Sequence, residues 1–572
     1  MNMRNTDNQR TILGVWLVIF VLAAGFVRAG NTCTWTGSWS PLPTNVDDVI
    51  VVSSGGNLTW SNTMPAKVAS WSQGSGYAGT ATFQTVYGAT GFTNFTVTGD
   101  VTLNGGTWAH QANTTVETNR LCVTVGGNLL VSNAVINVDA LGYGQSQGPG
   151  AGASGVGGAY GGAASGGGGT VNLKTYGSII APTNLGSGGG GVSGGGAVLL
   201  SVAGTTTVAS AGLISANGAS SGGNGGGSGG SISLSTGWLK GGGAFRANGG
   251  NGPNTTWGGG SGGRIAIILT GAGADFTLWG GTNIAYGAAV GGWSPPAAGT
   301  VYLKTQAGAD TLLIDNNGLT TGGQLSTFVT NAVNLNSFSN VVVNHKGILG
   351  VRGNTAIDFN TVNLVTYGPT NSYIAIDNDT NVTYPTDWIL NGYTLYVNSI
   401  TTNKLTNLMI GTNGVLSHYQ NYTAETYKMN LMIAGNLTVL SNGAIRADTL
   451  GYGAGSGPGA GALLSLYGGA YGGAARDAAL GINSNTYGSI TAPMNLGSGG
   501  GGGGGGGAIL LTVAGTTTVA SAGVVTANGG SSTGNGGGAG GSIFLTTGWL
   551  AGSGTLRANG GTGANGNGSG GG

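Results

Sequence analysis

Three histidines, His110, His345 and His418, are the whole imidazole supply of this chain. Two of them recur with an acid, His110 with Glu117 and His418 with Glu425, each pair seven residues apart. A histidine and a glutamate held together could act as general acid and base or share a metal ion. Seven positions along a strand, however, put two side chains on opposite faces. The spacing therefore reads as a framework position kept by duplication. Asp377-Asn-Asp-Thr-Asn381 alternates oxygen ligands like the opening of a calcium loop, yet Val382 replaces its glycine and Trp388 its bidentate glutamate. A polar turn is expected there.

The other acids are scattered. Asp47 and Asp48 lie near the N-terminus, Arg476-Asp477 sits in a glycine-rich stretch, and Asp139 and Asp448 are single, corresponding positions. Polysaccharide lyases and hydrolases need clustered carboxylates, as a paired acid and base or as metal ligands. The glycine runs also lack the Gly-Lys-Ser/Thr ending of a phosphate loop. We assign no catalytic residue, no metal ligand and no cofactor, and read the chain as non-enzymatic.

Aromatic residues offer a ligand surface. Trp257, Trp279 and Trp293 cluster around glycine-rich turns, where an exposed ring could stack on a sugar. Trp238 and Trp549 recur in Thr-Gly-Trp-Leu and read as core. Cys33 and Cys122 are candidates for one disulfide pinning an N-terminal cap, with two unpaired thiols as the alternative.

The compartment comes from the first residues. Arg4 and Arg10 precede an apolar run from Val15 to Ala24 and the small-residue site Val27-Arg28-Ala29. This is the pattern of a signal peptide over residues 1–29. No later stretch is long and apolar enough to span a bilayer, so no transmembrane segment is expected in the mature chain. Charged residues are only 6% with a net charge of +1, so there is no field to attract nucleic acid or anionic lipid.

Glycine supplies 125 of 572 residues, without the collagen period and with only 12 prolines. Interleaved Val, Ile, Leu and Thr runs argue against disorder. The run Tyr176-Gly-Ser-Ile-Ile-Ala-Pro-Thr-Asn-Leu-Gly-Ser-Gly returns from Tyr487 at an offset of 311, as do Val202 to Gly212 from Val513. Upstream, His110 to Thr118 return as His418 to Thr426 at 308. The second copy stops where the first reads Ser261-Gly-Gly-Arg264-Ile-Ala-Ile, so a fragment or truncated product is expected.

Within the unit, apolar β-type runs begin at Val171, Val198, Ile232, Ile265 and Val301, and a second class ends in Ala-Asn-Gly, as at Ile214 to Gly218 and Phe245 to Gly249. Positive φ at Asn-Gly would make these corners tight. Strands and corners at a near-fixed interval predict an all-β chain wound as a right-handed parallel β-helix with an N-terminal cap, the alternative being a β-sandwich or propeller array. The divisions expected are 30–90 as cap and first coils, 91–306 as repeat one, 307–400 as a connecting Asn/Thr-rich β segment, and 401–572 as repeat two. The glycine tracts read first as flexible loops on one face. The sharper alternative is a packed polyglycine layer whose backbones satisfy one another.

Thr34-Trp-Thr-Gly-Ser-Trp-Ser, followed by Asn45-Val-Asp-Asp-Val-Ile50, resembles the opening of autotransporter-like passenger domains of bacterial surface proteins. Ala-Asn-Gly-Gly, Gly-Ser-Gly-Gly-Arg264-Ile-Ala-Ile and Gly299-Thr-Val-Tyr-Leu-Lys304 are similar to glycine-rich units of large exported bacterial proteins. The resemblance implies a right-handed β-helix and a role in adhesion or envelope structure; these scaffold motifs carry over no catalytic residue. We expect an exported structural or adhesive protein, secreted or at the cell surface, with extracellular polysaccharide or other surface components as partners. A glycan-binding or polysaccharide-processing β-helix is the alternative.

Overall fold

The computed structural model describes residues 30–253, 256–289, 294–321, 325–328, 333–377, 379–476, 481–563 and 568–571. The leader at 1–29 and Trp293 lie outside them. The chain is all-β, with mostly parallel sheets. Alternation sets each strand's inner face: in Leu121–Val125 the residues Leu121, Val123 and Val125 are buried, while Cys122 and Thr124 between them are not.

Strands of successive segments lie on one another in parallel register. Leu121 stands beside Val198, Val198 beside Ile232, Ile232 beside Ile265 and Ile265 beside Val301. All five are buried, and each such side chain contributes about 2 kcal/mol of hydrophobic stabilisation. Val171 is not in this column. It belongs to an antiparallel pair with Ala164–Ser165, because its neighbours are glycine tracts rather than strands. A second sheet runs alongside, carrying Ile136, Ile214 and Phe245 in register. The first segments close on an aromatic cluster of Trp60, Trp71, Phe83, Phe95 and Trp108, with ring centroids 4.8 to 5.8 Å apart.

Among the described residues, strand direction in the first sheet reverses at the N-terminal pair Thr32–Trp35 with Trp39–Ser40 and again deep in the sheet. Thr300–Lys304 and Asp310–Asp315 pair antiparallel, with Tyr302 opposite Leu312. Ile265, Ile267 and Val301 belong to the first core, whereas Tyr302, Leu312 and Ile314 belong to a second, with Val341, Ile374 and Leu395. The core thus passes from one face of the sheet to the other at this hairpin. Beyond it, parallel stacking resumes: Leu349, Ile374, Leu395, Leu416, Ile445, Val525 and Leu556 form one column.

The glycine tracts form a packed layer, which corrects the expectation of flexible loops. Gly226 and Gly229 donate to the carbonyls of Gly258 and Ser261, Gly227 and Gly230 to those of Ala219 and Ala216, and Ser228 to that of Ser187. Donors three residues apart thus serve the same neighbour, in three directions, as in a three-fold helix that bonds only outward. The second copy repeats this: Gly537 and Gly540 donate to Gly568 and Gly571, Gly538 and Gly541 to Gly530 and Ala527. A Cβ on Gly229 would lie 2.1 Å from the Ala247 carbonyl oxygen, and one on Gly189 2.1 Å from that of Gly226. Only glycine lets the backbones approach this closely.

The Ala-Asn-Gly corners also differ from expectation. Neither Asn217 nor Gly218 takes a positive φ, unlike Asn317, Asn413 and Asn442 in other Asn-Gly pairs. Gly218 is needed for packing, since its Cβ would lie 2.0 Å from the Gly227 carbonyl oxygen.

Candidate functional site

The histidines hold the glycine layer to the strands. His110 Nε2 accepts from the backbone N–H of Ala197 at 3.2 Å, and its Nδ1 contacts the Gln111 carbonyl oxygen at 2.7 Å. His418 repeats both contacts, with Ala508 at 3.2 Å and Tyr419 at 2.8 Å. Acceptance at Nε2 requires the proton on Nδ1, the neutral tautomer that donates to the carbonyl. Burial pushes both imidazoles down to about 4. Glu117 is elsewhere: its carboxylate accepts from Leu185 N–H at 3.0 Å and the Asn184 amide at 3.1 Å. Glu425 accepts from the Asn495 amide at 3.3 Å and pairs with Lys428 at 3.2 Å, so in both copies the recurring His and Glu have separate partners.

The single acids are spoken for in the same way. Asp139 Oδ1 accepts from Asn217 N–H at 2.6 Å, and Asn217 Oδ1 accepts from Asn248 N–H at 2.8 Å, whose own Oδ1 accepts from Tyr286 N–H at 2.8 Å. Asp448, Asn528 and Asn559 build the same ladder at 2.7 and 2.9 Å. Buried Asp48 accepts three backbone bonds, from Asn31, Thr44 and Asn45, each at 2.9 Å. Desolvation raises its affinity for a proton, but these donors outweigh it and hold the carboxyl below its usual range. Asp377 is paired with Arg352 at 2.7 Å and Asp379 with Lys404 at 3.3 Å. Among the described residues no three His, Cys, Asp or Glu come together as metal ligands.

The cysteines do not meet. Cys33 is buried, Cys122 is half-buried, and both are free thiols, which corrects the disulfide expectation. The Cys33 strand lies on Val49–Val52, then Ser70–Gln73, Val101–Leu103 and Leu129–Val131, and the last shares its layer with Leu121–Val125 on Ala197–Val208. Four strand spacings separate the two by about 19 Å, against roughly 7 Å that a disulfide can span.

Of the tryptophans proposed for glycan stacking, Trp257 is half-buried with its ring 3.0 Å from where a Cβ of Gly155 would be. Trp279 packs on the core, its ring centroid 5.3 Å from that of Phe245 and its Nε1 buried. Trp238 is half-buried and packed against the core, but Trp549 is 78% exposed, contrary to its reading as core. Gly271 of the following segment lies against the indole of Trp238. Among the described residues no such strand lies beyond Trp549.

Two features escaped sequence reasoning. Arg264 is fully buried, with Nε donating to the Tyr176 carbonyl at 2.9 Å and Nη1 to Thr300 Oγ1 at 3.2 Å. In the second copy, a cavity of about 430 Å³ opens between Tyr471, Tyr487, Gly488, Ile490 and Gly541. The duplication was the available signal, since Tyr471 and Tyr487 correspond to Tyr160 and Tyr176. Among the described residues no helix is long and apolar enough to cross a membrane. Comparison with protein-family models, characterised proteins and solved structures finds no match for the chain.

Proposed function

We propose that the chain winds as a right-handed parallel β-helix and works as an exported, non-enzymatic structural or adhesive element, secreted or at a cell surface. The observation that carries this reading is the glycine layer, in which hydrogen-bonded backbone replaces side chains over long tracts of both copies. Such a layer supplies rigidity and no chemistry. The histidines and carboxylates described above fit the same role, because each of them holds backbone or pairs with a neighbouring cation. Parallel crossover connections favour the right hand. At the Thr300–Lys304 hairpin, strand direction and core face both invert; the two inversions cancel, so one winding sense serves both blocks.

Export rests on the leader pattern at residues 1–29, and the adhesive role has extracellular polysaccharide or other surface components as its partners. The test is protease shaving of intact cells that make the protein, with an antibody against the chain. Loss of the signal from intact cells, or its appearance in the medium, supports the reading; an intracellular chain that keeps its leader overturns it. Trp257 keeps a glycan-binding reading open to test, because its ring is half-exposed on the glycine layer. A glycan array in which selective binding disappears with Trp257→Ala would favour that second role.

A further inference from the structure

Two neighbouring strands of the connecting segment stand apart. Leu364–Thr366 lies in parallel on Asn340–Asn344, and Asp387–Leu390 on Asn407–Ile410. Among the described residues the first of these strands ends one sheet and the second begins another, with no pair between them. Their flanks are nevertheless tied. Phe359 N–H donates to the Thr383 carbonyl at 3.0 Å and Gly368 N–H to the Gly392 carbonyl at 2.9 Å, with residues 360–367 and 384–391 between the two ties. A wedge of rings parts the strands: the Phe359 and Trp388 centroids are 4.9 Å apart, and those of Tyr384 and Trp388 5.0 Å. The result is a cleft of about 390 Å³, within the roughly 300–1,000 Å³ of small-molecule sites.

The two strand edges bring backbone polar groups to this cleft. In a parallel ladder one residue turns its N–H and C=O to one neighbour, and the next residue turns them to the other. The Asn363 carbonyl accepts from Val341, and the Thr386 and Leu390 carbonyls accept from Asn407 and Gly411. Thr366 on one side, and Asp387 and Ile389 on the other, therefore turn their N–H and C=O towards the cleft, which Phe359, Trp388 and Tyr393 also line. The lining holds no lysine, arginine or histidine, and its one carboxylate, Asp387, already accepts from the Asn407 amide at 2.7 Å. Ile389, 56% exposed, lines both this cleft and a second hollow of about 280 Å³ shared with Met409 and Thr438.

We propose that the cleft between Leu364–Thr366 and Asp387–Leu390 binds a neutral sugar unit at the end or at a branch of a polysaccharide. Sugar hydroxyls both donate and accept, which matches walls of N–H and C=O, while the C–H face of the ring packs on aromatic carbon. An anionic ligand would meet no cation here, and the cost of desolvating its charge would stand uncompensated. The ties at Phe359 and Gly368 close the cleft along the strand direction. They exclude an added peptide strand, which must run through along the edge, and for the same reason select a chain end or branch over the middle of a long glycan. The inference deepens the reading of surface polysaccharide as partner and rests on it for its ligand, but it uses neither Trp257 nor the glycine layer.

The experiment is an array of neutral and acidic oligosaccharides probed with the purified full chain, then calorimetric titration of the strongest neutral ligand. Selective binding of neutral glycans is expected, unchanged by added salt. Ile389→Trp and Asn391→Trp, both at exposed positions on the rim, should each weaken it roughly tenfold or more while circular dichroism stays unchanged. Trp257→Ala should leave it intact. Binding that survives both rim variants, or that selects acidic glycans, overturns the proposal. A blank array from a chain found at the cell surface sinks this inference alone, whereas neutral-glycan binding by a chain retained inside cells sinks the surface reading and leaves the cleft standing.

Discussion

His110 and Ala197, 87 residues apart in the chain, are joined by one hydrogen bond of 3.2 Å from the Ala197 backbone N–H to the imidazole Nε2. The bond ties the end of a corner strand to the start of Ala197–Val208, just where the glycine layer meets the sheet. There is no room for anything else, because a Cβ on Gly196 would lie 2.2 Å from that nitrogen.

The burial of the His110 and His418 imidazoles makes the fold acid-sensitive. Both imidazoles titrate near 4 when folded, below the ordinary value of 6.5. The unfolded chain therefore binds more protons between these limits, and stability present above about 6.5 falls as pH drops towards 4, by about 3 kcal/mol per histidine. The protection factors of the Ala197 and Ala508 amides, with exchange corrected for its intrinsic pH dependence, should fall as pH drops across this window. In His110→Gln the profile at Ala197 should flatten while that at Ala508 is kept; an unchanged slope at Ala197 would assign the sensitivity to another group.

Glycine substitutions should divide sharply by position. A Cβ on Gly229 meets the Ala247 carbonyl oxygen at 2.1 Å, whereas one on Gly222 or Gly223 meets nothing within 4 Å. Gly229→Ala should cost more than about 3 kcal/mol, and Gly222→Ala should stay within roughly 0.5 kcal/mol of the parent. Denaturant titration compares them, and equal stabilities would mean that the layer yields easily.

The asparagine ladder predicts a directional effect. Asn217→Ala removes the acceptor of Asn248 N–H and a donor to Asp139, at a cost of about 2 kcal/mol. Asn217→Asp restores an acceptor but sets a second carboxylate against Asp139, and should recover none of that loss. Limited proteolysis near residues 217 and 248 reports both.

The cysteines give a chemical count. Two thiols per unfolded, unreduced chain should react with a thiol reagent. In the folded chain Cys33 should react far more slowly than Cys122, since its side chain is sealed in the core. Burial, reinforced by Asp48, also pushes its thiol up to about 11, which leaves little thiolate to react. Fewer than one reactive thiol after unfolding would restore the disulfide.

Much of the architecture was legible in residue patterns. The alternation Leu121-Cys-Val-Thr-Val125 states which face is buried, and the runs at Val198, Ile232, Ile265 and Val301 do form one column. Val171 reads the same way locally yet sits in a hairpin, because its surroundings are distant glycine tracts. The candidate site was less legible. His110 with Glu117, and Cys33 with Cys122, are pairs by composition that the fold keeps apart, while Arg264 owes its setting to Tyr176 and Thr300, 88 and 36 residues away.

Taken alone, the amino-acid order determined the β-type segments, their spacing and the duplication, since alternation and repetition are properties of neighbours along a chain. Tertiary structure decided the rest: the order of the glycine layer, the passage of the core from Val301 on one sheet face to Tyr302 on the other, and the burial of Arg264 against Tyr176 and Thr300. Each depends on which distant backbone comes within 3 Å of which. A run of glycines carries no side-chain pattern to announce that.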